Sequence, residues 1–391
     1  MEEKSVDRVS LGEFSVSRIG FGCYSMALGD SPNTPADWVN LIREAHGRGV
    51  NFFDTADQYG PAEEILGRAV GPFRDEVVVA TKAGVTPDRG PDASPEHIRR
   101  ACDASLSRLG TDRIDLYQVH YDDPGTPVAD TVAALEDLRE RGKIRMYGVG
   151  HLPAARVQEY IARGRPASLL FELSPAARLS RRDLVPLCRP DGPRGIAFSP
   201  TGRGVLTTGA GPGGPAGGGL RAADPLFQRE KLASGLRIRD HLAEVGRSHG
   251  KTPAQVAIAW VLAQPGIAVA LTGTSRPDHL RENLGAVGWS LPAGQLAALD
   301  RLLEREDEWL REESIRTARA IAGRPLPREG PAPYADLIYL AEVAVEYGLA
   351  REAQLMPVIV RLLATRKRAR GAWDPSLEDI RREMAAIIGE S

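Results

Sequence analysis

Disulfide chemistry is the first thing this sequence is short of. Its three cysteines, Cys23, Cys102 and Cys188, are an odd number and show no CxxC spacing. That argues against a disulfide framework and against a zinc site, so no metal is expected, and it fits a reducing cytoplasm. Long apolar runs are missing too: none reaches the roughly 18 residues that a membrane span requires. Aromatics are sparse, at 6%, and neither sign of charge dominates, the net charge being −2. A nucleic-acid binder shows a basic excess or patch, so nucleic acid is not an expected partner. The N-terminus, MEEKSVDRVS, is charged and carries no apolar export signal. The expectation is a cytoplasmic globular protein. Its 391 residues, 42% of them hydrophobic, suffice for one large domain with an appendage, or for two domains.

What the chain does have is a rhythm. Short apolar strand-like runs alternate with helix-length amphipathic segments. The strand candidates are Ser17–Gly22, Asn51–Thr55, Val77–Thr81, Ile114–His120, Ile144–Gly150, Ser168–Ser174, Gly195–Pro200 and Ala268–Gly273, eight in all. One helical pattern starts at Pro35 and carries Trp38, Leu41, Ile42 and Ala45. Another opens on Ser94 as a cap, with Pro95 at its first position. A third runs from Pro127 through Val132, Leu135 and Leu138 to Gly142, a helix stop.

Strand-then-helix repeated in this way predicts parallel strands joined by helical crossovers. An open doubly wound sheet and a closed (β/α)8 TIM barrel both satisfy it. The open nucleotide-binding sheet usually carries GxGxxG after its first strand. Here that place reads IGFGCYSM, without the third glycine. The residues of chemical interest also leave the C-terminal ends of several different strands, as on the active face of a barrel. The α/β class and the barrel are therefore expected, over residues 1–304.

Two stretches break the rhythm. Thr207–Leu220 reads TTGAGPGGPAGGGL, either a plain surface loop or a lid that orders over a ligand. From residue 305 to 391 an all-helical C-terminal extension is expected, with patterns at Glu308–Ile321, Tyr334–Tyr347, Glu352–Leu363 and Leu377–Ile388. Pro325, Pro327, Pro331 and Pro333 separate the first pattern from the second. The run DLIYLAEVAVEYGLA is apolar on more than one face, so it must be buried. A small helical domain packed on the barrel, or a homo-oligomer formed through these helices, accounts for that.

The chemistry gathers around Asn51–Gly60, NFFDTADQYG. Asp54 stands at a strand exit and Tyr59 follows in the loop; Lys82 and His120 arrive at the exits of the next two strands. Taken singly, each has a plainer reading: a turn cap, a loop aromatic, a surface lysine, a satisfied barrel-end histidine. Together they form a proton-transfer device. Free tyrosine has a pKa near 10 and is a poor acid at neutral pH. A nearby ammonium is expected to lower that pKa, and a carboxylate to fix the ammonium. A histidine in reach orients a substrate carbonyl or shares the proton. Tyr59 then protonates a carbonyl oxygen while a cofactor delivers hydride, since no side chain supplies one.

These motifs resemble the aldo-keto reductase superfamily, from Arg18 to about Asp300. The resemblance is carried by GFGCYSM, NFFDTADQYG, VATKAG, DLYQVH, SPTGRGVL at Ser199–Leu206 and GTSRPDHLRENL at Gly273–Leu284. It implies an NADPH-dependent oxidoreductase that reduces a small-molecule aldehyde or ketone, or oxidises the alcohol. The family's Asp, Tyr, Lys and His positions match Asp54, Tyr59, Lys82 and His120 one for one. For the cofactor, the first motif offers Gly22, Cys23 and Tyr24, with Asp54 beside them. Ser199, Thr201, Gly202 and Gly204 match the pyrophosphate cover. The last motif opens at Gly273; its Ser275 and Arg276 match positions near the 2′-phosphate, and Glu282 and Asn283 match the adenine contacts. An arginine there suits a phosphate dianion, which favours NADPH.

The nicotinamide end departs from the pattern. The family's GVSN is GVGH here, so Gly150 and His151 replace a Ser-Asn pair. The usual glutamine and stacking aromatic after the sixth strand align with Leu170 and Leu173. Either His151 and Glu172 re-anchor the ring, or the nicotinamide sits differently, or hydride transfer is not the main reaction. Two alternatives therefore stay open: a redox-neutral lyase, isomerase or cyclase on the same barrel, and a cofactor-sensing regulatory subunit. The full set of four proton-transfer residues speaks against the sensor. Tyr24, Trp38 and Tyr121 are candidates for the substrate pocket.

Overall fold

The computed structural model describes residues 7–27, 31–86, 90–209, 224–329, 332–369 and 372–389. Most of the glycine-rich stretch, and Pro331, lie outside the described residues. The chain divides into two compact units, Met1–Thr201 with Gly246–Leu291, and Gly202–Val245 with Pro292–Ser391.

The first unit contains a closed parallel barrel of eight strands. They are β1 (Ile19–Gly22), β2 (Phe52–Asp54), β3 (Val78–Ala83), β4 (Ile114–Val119), β5 (Ile144–Gly150), β6 (Ser168–Glu172), β7 (Arg194–Phe198) and β8 (Ile267–Thr272). Each expected strand is present, most of them a residue or two shorter. Period-two alternation sends one set of side chains inward. Phe52, Val78, Ala80, Leu116, Met146, Leu170, Ile196, Val269 and Leu271 form one buried cluster. Leu11 and Val16, from the N-terminal hairpin Arg8–Leu11 and Phe14–Ser17, belong to the same cluster. Each large aliphatic side chain buried this way contributes about 1.5–3 kcal/mol.

Register then sets a polar layer above that floor. Lys82 pairs with Gln118, Gln118 with Gly148, and Gly148 with Ser168. Gly148 makes the room: a Cβ there would collide with the Ser168 hydroxyl.

The surrounding helices start where their caps predict. Helix α1 (Pro35–Gly47) opens on a reciprocal capping box between Thr34 and Asp37, with Pro35 in the first turn. It buries Trp38, Leu41, Ile42 and Ala45. Helix α2 (Ala62–Val70) packs on α3 (Pro95–Leu109), whose cap Ser94 accepts from the His97 N–H at 3.4 Å. Gly67 allows the close approach, since a Cβ there would strike the Leu109 carbonyl. Helices α4 (Val128–Glu140) and α5 (Ala154–Arg163) follow, and short α6 is Leu179–Asp183.

The second unit is helical, with α7 (Arg229–Arg247) reaching into it from the barrel's sequence. Helices α8 (Pro253–Ala263) and α9 (Pro277–Leu284) belong to the first unit, and α10 (Ala293–Ala322) returns to the second. Where a helix from Glu308 was expected, α10 runs unbroken for 30 residues from Ala293. No glycine or proline interrupts it between Gln295 and Ala322. Then come α11 (Ala332–Glu346), α12 (Glu352–Arg368) and α13 (Ser376–Gly389). Ala318, Ile321, Leu337, Leu340, Val343, Leu355, Val358, Leu362, Leu377 and Met384 make one core. The apolar run of α11 is thus covered by α10, α12 and α13. Lys231 of α7 bonds Glu342 and Glu346 of α11 at 2.6 and 2.7 Å. Among the described residues no helix is long and apolar enough to cross a membrane.

Candidate active site

The C-terminal mouth of the barrel collects Asp54, Tyr59, Lys82 and His120. Asp54 ends β2, fully buried, and both its carboxylate oxygens are engaged. Oδ1 accepts from Lys82 Nζ, and Oδ2 accepts from Gln118 Nε2 at 3.2 Å. Lys82 Nζ donates also to the Thr55 carbonyl at 2.7 Å. The same ammonium lies 5.1 Å from the centre of the Tyr59 ring. His120 meets Tyr59 edge-on, with centroids 5.8 Å apart. Its backbone N–H donates to the Ala83 carbonyl at 2.8 Å, which ties the exit of β4 to that of β3.

The protonation states follow from burial. Desolvation pushes the Asp54 carboxyl up, opposed by Lys82 and the Gln118 amide. Tyr59 is pushed up as well, by burial first and then by the Asp54 charge. This corrects the expectation that Lys82 would lower the Tyr59 pKa: the ammonium is engaged by Asp54 and the Thr55 carbonyl. The phenol therefore keeps its proton at neutral pH. Burial, then Lys82 and His151, push His120 down to about 2, so its imidazole is neutral. His120 Nδ1 is buried without a hydrogen-bond partner. An unmet buried polar atom costs about 1–3 kcal/mol, so this nitrogen is suited to a ligand's polar atom.

A row of rings surrounds the four. Tyr24, 50% exposed, lies edge-on to Tyr59 at 5.1 Å. Tyr121, 40% exposed, stacks on His120 at 4.6 Å and on His151 at 4.7 Å. His151 in turn lies 4.8 Å from Phe198. His151 and Ser199, at the exits of β5 and β7, both take left-handed backbone, with φ of 51° and 54°. Non-glycine residues hold that conformation at a cost of about 1–3 kcal/mol, and such strain clusters at functional sites.

Three residues next to this group were not among the expected site residues. Gln118 and Ser168 extend the Asp54–Lys82 pair across the barrel, with Ser168 Oγ 3.2 Å from Gln118 Oε1. Their signal was parity: Gln118 lies two residues before His120 on the same inward face. Phe198 is an aromatic on the inward face of GIAFSP, next to Ser199. The pocket candidate Trp38 is buried in α1 instead.

The residues offered for a dinucleotide fall into separate places. Gly22, Cys23 and Tyr24 follow β1, with Gly22 in register with Asp54. A Cβ on Gly273 would stand 3.2 Å from the Gly22 carbonyl, so these two glycines are neighbours. Ser275 accepts from Asn33 Nδ2 at 2.8 Å through its carbonyl. Arg276 begins α9, whose N-terminus has no side-chain cap. Asn283 is buried, and the Glu282 carbonyl accepts from Gln255 Nε2 at 2.8 Å. Ser199 and Thr201 end the barrel's seventh unit, whereas Gly202 and Gly204, with φ of 59° and 105°, belong to the second unit. An uncapped helix start beside an arginine suits the phosphate end of a dinucleotide. Of the residues expected at the amide end, Gly150 and the buried Leu170 and Leu173 offer no polar side chain, whereas His151 and Glu172 do.

A parallel eight-stranded barrel with this polar group at its mouth places the chain among the (β/α)8 proteins. Residues 18–304 match the model of the Aldo/keto reductase family, and the chain belongs to that family. It is 35% identical over 304 residues to a probable aldo-keto reductase 1 of Glycine max, covering 74% of this chain and 87% of that protein. It is 32% identical over 321 residues to the NADH-specific methylglyoxal reductase of Escherichia coli K12, covering 76% and 98%. An aldo/keto reductase from Klebsiella pneumoniae, solved with NADP and acetate, superposes with a TM-score of 0.61 at 29% identity, over 76% and 95% of the two chains. The family consists of oxidoreductases that act on carbonyl and alcohol groups with nicotinamide cofactors, and this chain is one of them.

Proposed function

We propose that this protein reduces an aldehyde or ketone, or oxidises the corresponding alcohol, with Tyr59 as the proton donor and NADPH as the cofactor. The observation that carries the reading is a protonated Tyr59 set over the buried Asp54–Lys82 pair, beside a neutral His120 with a free Nδ1. When bound, the nicotinamide cofactor supplies the hydride. Tyr59 passes its proton to the carbonyl oxygen, Lys82 offsets the negative charge left on the phenolate, and Asp54 holds Lys82 in place. His120 orients the carbonyl oxygen. Ser275, Arg276, Glu282 and Asn283 hold the adenosine end, Ser199 and Thr201 the pyrophosphate, and His151 and Glu172 the amide. Phe198 offers the ring face that Leu173 lacks.

Arg276 supports NADPH by its charge. Yet its guanidinium is already bonded to Asp278 at 3.0 and 2.5 Å, and that carboxylate competes with a 2′-phosphate. Titration of NADPH and NADH, read by nicotinamide fluorescence, tests the preference. The reading expects tighter NADPH binding that drops toward the NADH value in Arg276→Ala. Equal binding in the wild type refutes the preference, and no binding of either refutes the cofactor.

The apolar Gly150, Leu170 and Leu173 favour a second reading, a redox-neutral reaction on the same barrel. Product formation with no change in nicotinamide absorbance would decide for it. A cytoplasmic location is proposed on the three free, buried cysteines. Self-association through the C-terminal helices is proposed on Met356, Val360 and Leu363, exposed along one face of α12. A monomer by light scattering ends that proposal.

A further inference from the structure

The loop that carries Tyr59 holds a second carboxyl that the proton-transfer group does not use. Asp57 stands two residues before Tyr59. Its N–H donates to the Lys82 carbonyl at 3.2 Å, and the Tyr59 N–H donates to the Ala56 carbonyl at 3.1 Å. The turn bearing Tyr59 therefore hangs from the strand bearing Lys82. Asp57 Oδ1 is buried and has no hydrogen-bond partner. Behind the loop lies Glu63 of α2, 1% exposed, with both oxygens taken. Oε1 accepts from Thr81 Oγ1 and Oε2 from Arg108 Nε, each at 2.6 Å. Arg108 Nη2 is directed to Ser105 Oγ at 3.2 Å. The groups that face Asp57 are Glu63 from α2, Arg108 from α3, Tyr117 from β4, and Gln58 in its own loop. A half-buried carboxyl, Asp57, and a buried one, Glu63, thus stand beside one partly exposed guanidinium, and Glu63 holds it. Like charges so placed resist ionising together.

We propose that Asp57 is a positioning residue for Tyr59: neutral, it keeps the loop seated against Lys82, and ionised, it leaves for water and draws Tyr59 from Lys82 and His120. The proposal rests on Tyr59 being the proton donor. Burial, and then Glu63, push the Asp57 carboxyl up to about 7, against the opposing pull of Arg108. The sign is that of a raised acid. The stability that neutral Asp57 contributes is full below the ordinary value of 3.8 and is lost as the pH rises to about 7.

Asp57→Asn keeps the shape and removes the ionisation. Wild-type kcat for carbonyl reduction is expected to fall above pH 7, by up to about tenfold per pH unit. The variant's kcat should stay level further into the alkaline range, with the same KM for the nicotinamide cofactor. Identical alkaline limbs in the two proteins overturn the proposal. Hydrogen exchange supplies a readout independent of turnover. In cofactor-free wild type, corrected for the intrinsic pH dependence, protection across residues 55–61 is expected to drop between pH 6 and 8. In Asp57→Asn it should stay constant. Unchanged wild-type protection also overturns the proposal. A wild type with no carbonyl-dependent turnover defeats the Tyr59 reading instead, and exchange alone then decides the movement of the loop.

Discussion

Replacing Tyr59 by phenylalanine isolates one hydroxyl. The ring keeps its neighbours, with Tyr24 at 5.1 Å, His120 at 5.8 Å and Lys82 at 5.1 Å from its centre. No cavity opens, so folding stability should change by no more than about 1 kcal/mol. The loss falls on the proton. A positioned general acid is worth roughly 10²- to 10⁴-fold in rate, or about 3–5 kcal/mol of barrier. His120 cannot take the part, because burial holds its imidazole neutral, with a pKa of about 2. Three measurements on the same preparation separate the effects: single-turnover reduction of an aldehyde, cofactor Kd by nicotinamide fluorescence, and thermal unfolding. The expected result is a rate loss of at least about 100-fold, with Kd and Tm nearly unchanged. A variant within about tenfold of wild-type rate refutes the assignment of Tyr59 as the donor. A rate loss matched by an equal loss of cofactor affinity assigns Tyr59 to binding rather than to chemistry.

Lys82→Met leaves the buried Asp54 with Gln118 alone, and should destabilise the fold by about 3–5 kcal/mol at pH 7. That deficit should shrink at pH 5, as Asp54 protonates, in urea unfolding at the two pH values; an equal deficit at both contradicts a charged Asp54. His120 has a folded pKa below its ordinary 6.5, so its contribution to stability is present above that value and is lost as the pH falls toward 2. Its imidazole NMR signals should show no titration between pH 5 and 8. Gly67→Ala would ordinarily stabilise a helix by about 1 kcal/mol. Here the new methyl meets the Leu109 carbonyl, so a loss of about 1–3 kcal/mol in denaturant unfolding is expected instead.

The alternation of apolar runs and amphipathic segments was readable because strand and helix periods are local properties. The same holds for the starts at Pro35 and Pro95, where cap and proline are neighbours in the chain. Asp54, Lys82 and His120 were readable because parallel strands present their exits to one face whatever the loops do. Helix α10 begins before the expected Glu308 for a local reason: no glycine or proline stands between Gln295 and that residue, so the helix runs through from Ala293. Other features depended on distant partners. Gln118, Ser168 and Phe198 matter only through strands that register places beside them, and Gly148 only through the hydroxyl it accommodates. The charge states of Tyr59 and His120 belong to this second class. The chain alone suggested an acidified tyrosine, because it showed a lysine and could not show its partner. Desolvation sums over every atom that excludes water from a group, and those atoms come from strands far apart in sequence. The sequence by itself determined that Asp54, Tyr59, Lys82 and His120 reach the mouth of the barrel. Only the tertiary structure decided which of them hold their protons, because burial and pairing exist only once the barrel has closed.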